Sequence, residues 1–250
     1  MKALVTGASS GIGRSVAIYL SKLGYDLIVV ARREEPLIKL KLELKTDVEI
    51  ILKDLSNVQN CIELYEQVKN EDIDILVNNA GFGAFGEFTE IELEKEINML
   101  NTNILAVHTL TKLFLKDMVK KDKGYILNVS SVASFMPGPL MAAYYASKAY
   151  VTRHAEAVAM ELKKKKSNVY VGVLCPGPVD TNFNDVAGVK FSIKPLSSEY
   201  VAKYAVRKML KRKLIIVPGL FTKLTRFFAK IVPDKVIANV AYANQGRKEK

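Results

Sequence analysis

Lys2-Ala3-Leu4-Val5-Thr6 is a short apolar strand pattern that runs straight into Gly7-Ala8-Ser9-Ser10-Gly11-Ile12-Gly13, and a helical pattern follows from Arg14 to Leu23. Glycine permits backbone angles and close approaches that other residues do not, so three of them here predict a sharp strand-to-helix turn. The helix N-terminus beyond the turn offers unsatisfied N–H groups and the positive end of the helix dipole, which suit a phosphate. The spacing is G-x-x-x-G-x-G rather than the commoner G-x-G-x-x-G. Glycine spacing alone says little. Placed directly after the first strand and opening a helix, it predicts a βα turn that cradles a nucleotide.

The rest of the chain alternates as such a fold requires. Strand-like runs lie at Lys2–Thr6, Asp26–Ala31, Val48–Leu52, Ile73–Val77, Tyr125–Val129, Val169–Leu174 and Leu214–Val217. Most are rich in Val, Ile and Leu without polar alternation, as strands buried on both faces of a parallel sheet are. Helical patterns fall between them, at about 14–23, 34–45, 57–69, 89–120, 142–166 and 197–211. The expectation is an α/β fold: a doubly wound, Rossmann-type parallel sheet of about seven strands, helices on both faces, and a ligand at the strand C-termini. Its 250 residues suit one domain, 1–250, with 218–250 as a basic amphipathic helical extension. Two cysteines, Cys61 and Cys175, make no disulfide scaffold and read as reduced cytosolic thiols. Strand one starts at the second residue without a signal-peptide pattern, and no apolar run approaches the ~20 residues of a membrane span, so the expected location is cytoplasmic.

Tyr144 and Lys148 stand four residues apart in a helical segment, so their side chains share a face. A nearby ammonium stabilises phenolate, and the Tyr144 pKa is therefore expected below its usual value of about 10, within reach of acid/base work near neutral pH. On its own the pair also reads as an incidental contact on a helix surface. It has company: Ser130-Ser131 closes the strand-like run that ends at Val129.

Together these residues resemble the short-chain dehydrogenase/reductase family, in its ketoacyl and steroid-type reductase branch, over nearly the whole chain. Thr6-Gly7-Ala8-Ser9-Ser10-Gly11-Ile12-Gly13 fits the family's cofactor loop at every position. Asp54-Leu55 fits the site after the third strand that faces the adenine, and Asn78-Asn79-Ala80-Gly81 the motif that closes the fourth. Pro176, Gly177, Val179 and Thr181 fit the segment that holds the nicotinamide, and Asn103, Ser131, Tyr144 and Lys148 fit the catalytic tetrad in order and approximate spacing. The resemblance implies their roles. Ser131 hydrogen-bonds the substrate carbonyl. Tyr144 gives its proton to the developing alkoxide, or takes it back in oxidation. Lys148 lowers the Tyr144 pKa and binds the nicotinamide ribose, and Asn103 helps hold a water that links Lys148 to solvent. Asn101, Ser130 and Tyr145 are neighbouring decoys whose spacing fits less well. No metal is implied.

Cofactor preference is read from the end of the second strand. Members of the family that use NAD carry an acidic residue there for the ribose 2′-hydroxyl. Here the segment is Ala31-Arg32-Arg33, with no carboxylate until Glu34. A guanidinium grips a 2′-phosphate that a carboxylate would repel, so NADPH is expected over NADH.

The segments expected at the pocket mouth, Gly81 to Gly86, Phe135 to Met141 and Phe183, are aromatic, Met-rich and almost uncharged. They suit an apolar carbonyl compound: a ketone, an aldehyde or a 3-ketoacyl thioester. A substrate-covering loop is expected at Gly188 to Pro195, and His108 and His154 read as packing or surface groups. Alternatives are an alcohol or hydroxysteroid dehydrogenase working in oxidation and, more distantly, a dinucleotide-binding regulator. The long helices 102–120 and 142–166 carry more apolar residues than one sheet face requires, and the resemblance implies that they meet a partner in a homodimer or homotetramer.

The net charge of +11 sits entirely at the C-terminal end. Residues 201–250 hold 13 Lys and Arg against 2 Asp and Glu, whereas the first 200 balance at 24 each. There Leu220, Phe221, Leu224, Phe227, Phe228 and Ile231 recur at helical spacing, with Lys223, Arg226 and Lys230 on the other side. Such a helix covers a pocket, packs on a partner subunit, lies on an anionic membrane, or attracts an anionic acyl carrier. No recognisable DNA-reading motif accompanies it, and no nucleic acid is expected.

Overall fold

The computed structural model describes residues 1–181 and 195–246. Seven strands form one parallel sheet: β1 (Lys2–Thr6), β2 (Asp26–Ala31), β3 (Val48–Leu52), β4 (Ile73–Asn78), β5 (Tyr125–Val129), β6 (Tyr170–Leu174) and, after a separate short pair, β9 (Ile215–Ile216). That pair, β7 (Val179–Asp180) and β8 (Leu196–Ser197), carries no sequence pattern long enough to reveal it. The order across the sheet is β3-β2-β1-β4-β5-β6-β9, so the winding reverses between β1 and β4 and opens a crevice at their C-terminal ends.

Strand periodicity places the core on both faces. Ala3, Val5 and Val29 point to one face, packing on α1 (Gly11–Lys22) and α2 (Glu34–Glu43). Ser198–Leu210, here α7, completes that layer through Val201, Ala205 and Val206. Leu4, Ile28, Val30 and Leu76 point to the other face. They meet Leu64 of α3 (Val58–Val68), Leu110 and Phe114 of α5 (Val107–Lys121), and Val151 of α6 (Ala142–Lys164). Each fully buried Leu or Ile contributes about 2 kcal/mol, which leaves little freedom in strand register.

Two helical expectations are corrected. The single helix expected over 89–120 starts at α4 (Leu93–Leu100), widens into a π-helical turn over Asn101–Ala106, and resumes as α5. The helix expected through Ile231 ends at Phe228 as α8 (Leu220–Phe228), and α9 (Asp234–Gly246) begins after Pro233. Proline disfavours helix in the residue before it and has no N–H to donate, so the break falls where the chain requires it.

Candidate active site

The glycine turn is tied to the end of β4. Asn79 Nδ2 donates to the Thr6 and Gly7 carbonyls at 3.0 and 3.1 Å, and Thr6 Oγ1 accepts from the Asn79 and Ala80 N–H groups. A Cβ on Gly13 would stand 2.3 Å from Asn79 Nδ2 and 2.4 Å from the Gly7 oxygen. Gly11 adopts φ +55°, and a Cβ there would meet Thr181 at 2.9 Å. Ser10 caps α1 in extended conformation without a side-chain hydrogen bond, and the first turn of α1 has no acidic residue. Open N–H groups, no competing carboxylate and close backbone approach are what a dinucleotide pyrophosphate needs, so these residues fit one.

Arg32 and Arg33 are exposed past β2, at one end of a cleft of about 1060 Å³ that begins at the turn. Arg32 lies 3.8 Å from the Asp54 carboxylate. A pair this exposed and this long contributes little and leaves the guanidinium available. Leu55 is buried beside Asp54.

The tetrad residues converge from three places: Asn103 from the π turn, Ser131 from the end of β5, and Tyr144 and Lys148 from α6. Asn103 sits in the π-helical turn, completely buried. Its Oδ1 accepts from Phe82 N at 3.1 Å, and its Nδ2 donates to Phe82 O and to Ser147 Oγ. A π turn aims a side chain where a regular helix would not. Lys148 on α6 is buried and donates from Nζ to the Val129 carbonyl at 3.0 Å. Gly81 lies between the two: a Cβ there would be 2.7 Å from Asn103 Oδ1 and 3.3 Å from Lys148 Nζ. Ser131 faces the cleft at the end of β5 and hydrogen-bonds Tyr144, which is buried with its ring centroid 5.8 Å from Lys148 Nζ.

The decoys go elsewhere. Ser130 turns into the core, donating to the Lys148 carbonyl and accepting from Thr152. Tyr145 is held through its hydroxyl by Gln245 Nε2 at 2.9 Å. His108 and Tyr150 hydrogen-bond at 2.7 Å, and Tyr150 stacks on His154, on the outer side of α5 and α6. Cys61 and Cys175 are free and buried, and burial pushes both thiols up to about 11.

One electrostatic expectation is corrected. Burial dominates at Tyr144 and raises its pKa, and the Ser131 hydrogen bond only partly opposes this. Burial likewise lowers Lys148 to about 8. A desolvated ammonium turned toward a carbonyl does not offset the cost of placing phenolate in the same dry site.

Thr6, first residue of the expected cofactor loop, adds a hydroxyl that joins β1 to β4, and Gln245 of α9 is a site residue outside the sequence-based expectation. The cleft continues past Phe82, Met136 and Met141 to Phe221, Leu224 and Phe228 of α8, then to Val240 and Gln245 of α9. Helical spacing was the available signal for α8, but spacing does not say which side faces the cleft. Phe183 and most of the expected covering loop lie outside the described residues.

The short chain dehydrogenase family model matches residues 1–189. The chain belongs to the short-chain dehydrogenase family. An uncharacterized oxidoreductase of Staphylococcus epidermidis is 33% identical over 181 residues, 72% of this chain and 78% of that protein. A very-long-chain 3-oxoacyl-CoA reductase of Anas platyrhynchos is 32% identical over 211 residues, 80% of this chain and 66% of that protein. A solved short-chain dehydrogenase of Sphingobium yanoikuyae, in complex with NADPH, aligns at a TM-score of 0.81 and 26% identity, covering 93% of this chain and 96% of that one. Family membership makes the chain an oxidoreductase with a nicotinamide-dinucleotide fold.

Proposed function

We propose that the protein is an NADP(H)-dependent reductase of apolar carbonyl compounds: ketones, aldehydes or 3-ketoacyl thioesters. The observation that carries this reading is the buried Tyr144, hydrogen-bonded to Ser131 beside Lys148, at an apolar cleft that leads from the glycine turn. A nicotinamide dinucleotide held at the turn supplies the hydride in reduction and accepts it in oxidation. Ser131 hydrogen-bonds the carbonyl oxygen and orients it. As negative charge develops on that oxygen, Tyr144 passes its phenolic proton to it. A raised pKa keeps that proton in place until the oxygen becomes the stronger base. Lys148 spends one donor on Val129 and has two more for the ribose and for the charge left on Tyr144. Asn103 fixes the loop at Phe82 and supports the water path by which Tyr144 is reprotonated.

Preference for NADPH rests on Arg32 and Arg33 at the end of β2, where the chain has no carboxylate before Glu34 and Arg32 meets Asp54 only at 3.8 Å. The NADPH-bound relative and the 3-oxoacyl-CoA reductase are in keeping with that cofactor and substrate class. Assembly as a dimer or tetramer through the π turn, α5 and α6 fits the exposed Leu105, Val119 and Met160 they carry, and the setting we propose is cytoplasmic.

NADPH consumption over a panel of apolar ketones, aldehydes and 3-ketoacyl thioesters tests this reading. Tyr144→Phe is expected to lower kcat about 10³-fold while dinucleotide affinity holds, and Tyr145→Phe to remain active. Equal loss in both variants overturns the assignment of the acid. Tight NADPH binding with no turnover across the panel rejects the carbonyl reading.

A further inference from the structure

The C-terminal helices carry a surface that hydride transfer does not use. Among the described residues every ion pair lies between Lys2 and Glu156, so no cation of α7, α8 or α9 has a carboxylate partner there. Two of these cations lie over aromatic rings, Lys223 exposed and Arg226 half-buried. Lys223 lies 5.9 Å over the Tyr204 ring and Arg226 5.3 Å over Phe135, which holds the basic side of α8 against the body of the protein. The apolar side therefore turns outward. Leu220, Phe227 and Ile231 are 74%, 59% and 62% exposed, and none of them lines the cleft. Phe221, Leu224 and Phe228 are also exposed and form the cleft's edge, while Lys230 and Lys235 follow at the surface.

We propose that this ridge docks the protein on an anionic lipid surface, with the cleft mouth at the lipid boundary. A bilayer interface buries the apolar side chains and attracts the unpaired cations at once, as for an interfacial helix. A second copy seated on the same ridge would bring two basic surfaces together with Asp234 the only described carboxylate after Glu199 to pair them. An acidic carrier protein would match the charge but would need an apolar face of its own to cover the ridge. The proposal stands whichever carbonyl compound is reduced, because its readout is lipid binding and not turnover.

The test is sedimentation of the full-length protein with phosphatidylcholine vesicles, with and without added phosphatidylserine, at low and high NaCl. The expected result is binding to the anionic vesicles, weakened at least ~tenfold by high salt. Leu220→Gln/Phe227→Gln and, separately, Lys230→Glu/Lys235→Glu are each expected to lower partition about tenfold with dinucleotide affinity unchanged. No binding to anionic vesicles at low salt overturns the proposal, as does binding that neither double variant weakens. Dimerisation abolished by Leu220→Gln/Phe227→Gln, without vesicle binding, assigns the ridge to a second copy instead. Capture of an acidic acyl carrier protein, again without vesicle binding, assigns it to a carrier.

Discussion

At the dinucleotide end of the cleft, Gly13 has no room for a methyl group, and Thr6, Gly7, Asn79 and Ala80 are joined by hydrogen bonds that cross from β1 to β4. At the substrate end, Phe221, Phe228 and Val240 are carried by short helices beyond the last strand, and the side-chain bond joining α9 to the rest of the site is Gln245 to Tyr145. The first end is set by backbone geometry at a sheet switch point. The second is set by side-chain packing of helices that stand partly in solvent. Chemistry common to a family belongs at the rigid end, and substrate choice at the end that can change without disturbing the sheet.

The largest effect that would break this contrast concerns Gly13. An added methyl meets Asn79 Nδ2 and the Gly7 carbonyl, neither of which can retreat without losing the β1–β4 latch. Gly13→Ala is expected to destabilise the fold by about 3 kcal/mol, which lowers Tm by roughly 6–12 °C. Val240→Ala, at the edge of the cleft on exposed α9, is expected to stay within about 0.5 kcal/mol of the parent. Equal melting temperatures for the two variants would show that the turn is not the rigid end.

The same contrast explains what could be read from residues alone. Glycines, the Tyr144/Lys148 spacing and the unbroken Val/Ile/Leu runs are local signals of local constraints, and the seven-stranded sheet followed from them, whereas the full tetrad was legible only through the family resemblance. The π turn at Asn103 did not, because 89–120 has a continuous helical pattern and the widening serves a tertiary contact with Phe82. The Tyr144 pKa came out in the opposite direction because charge proximity is legible in spacing and burial is not. The outward turn of α8 depends on what Lys223 and Arg226 find across a gap in sequence, namely Tyr204 and Phe135.

A smaller effect sharpens the boundary of the rigid end. Arg32 is exposed and its contact with Asp54 is loose, so Arg32→Ala should leave stability unchanged. Losing a charge-assisted contact to the 2′-phosphate is expected to weaken NADPH about tenfold or more, with NADH within about twofold. Isothermal titration of both dinucleotides decides it. Equal tightness for the two in the parent protein would remove the cofactor preference.

The buried Lys148 gives a still smaller effect with a defined sign. Its folded pKa of about 8 lies below the ordinary 10.5, so above pH 8 the unfolded chain binds the extra proton. Lys148 alone therefore adds about 1 kcal/mol between pH 8 and 9, and the two buried thiols offset most of it, leaving a net rise of about 0.3 kcal/mol. Above pH 9 the trend reverses, because Cys61 and Cys175, pushed up to about 11, keep protons that unfolded thiols release from 9.0. Urea melts across this range should show the rise in the parent and not in Lys148→Met. A rise that persists in the variant would assign it to another group.

The smallest expected effect lies at Gln245. Its Nε2 donates to the Tyr145 hydroxyl, while its Oε1 is buried without a partner among the described residues. Replacing it with leucine removes an unsatisfied acceptor along with one hydrogen bond, and the two changes nearly cancel, within about 0.5 kcal/mol. Tyr145 would then lose the donor that partly opposes the upward pull of burial on its pKa. Because Tyr145 is not the proposed acid, kcat should hold and KM should move by no more than about threefold. A loss of kcat comparable to that of Tyr144→Phe would place α9 in the proton path, and the two ends of the cleft would then be one catalytic unit.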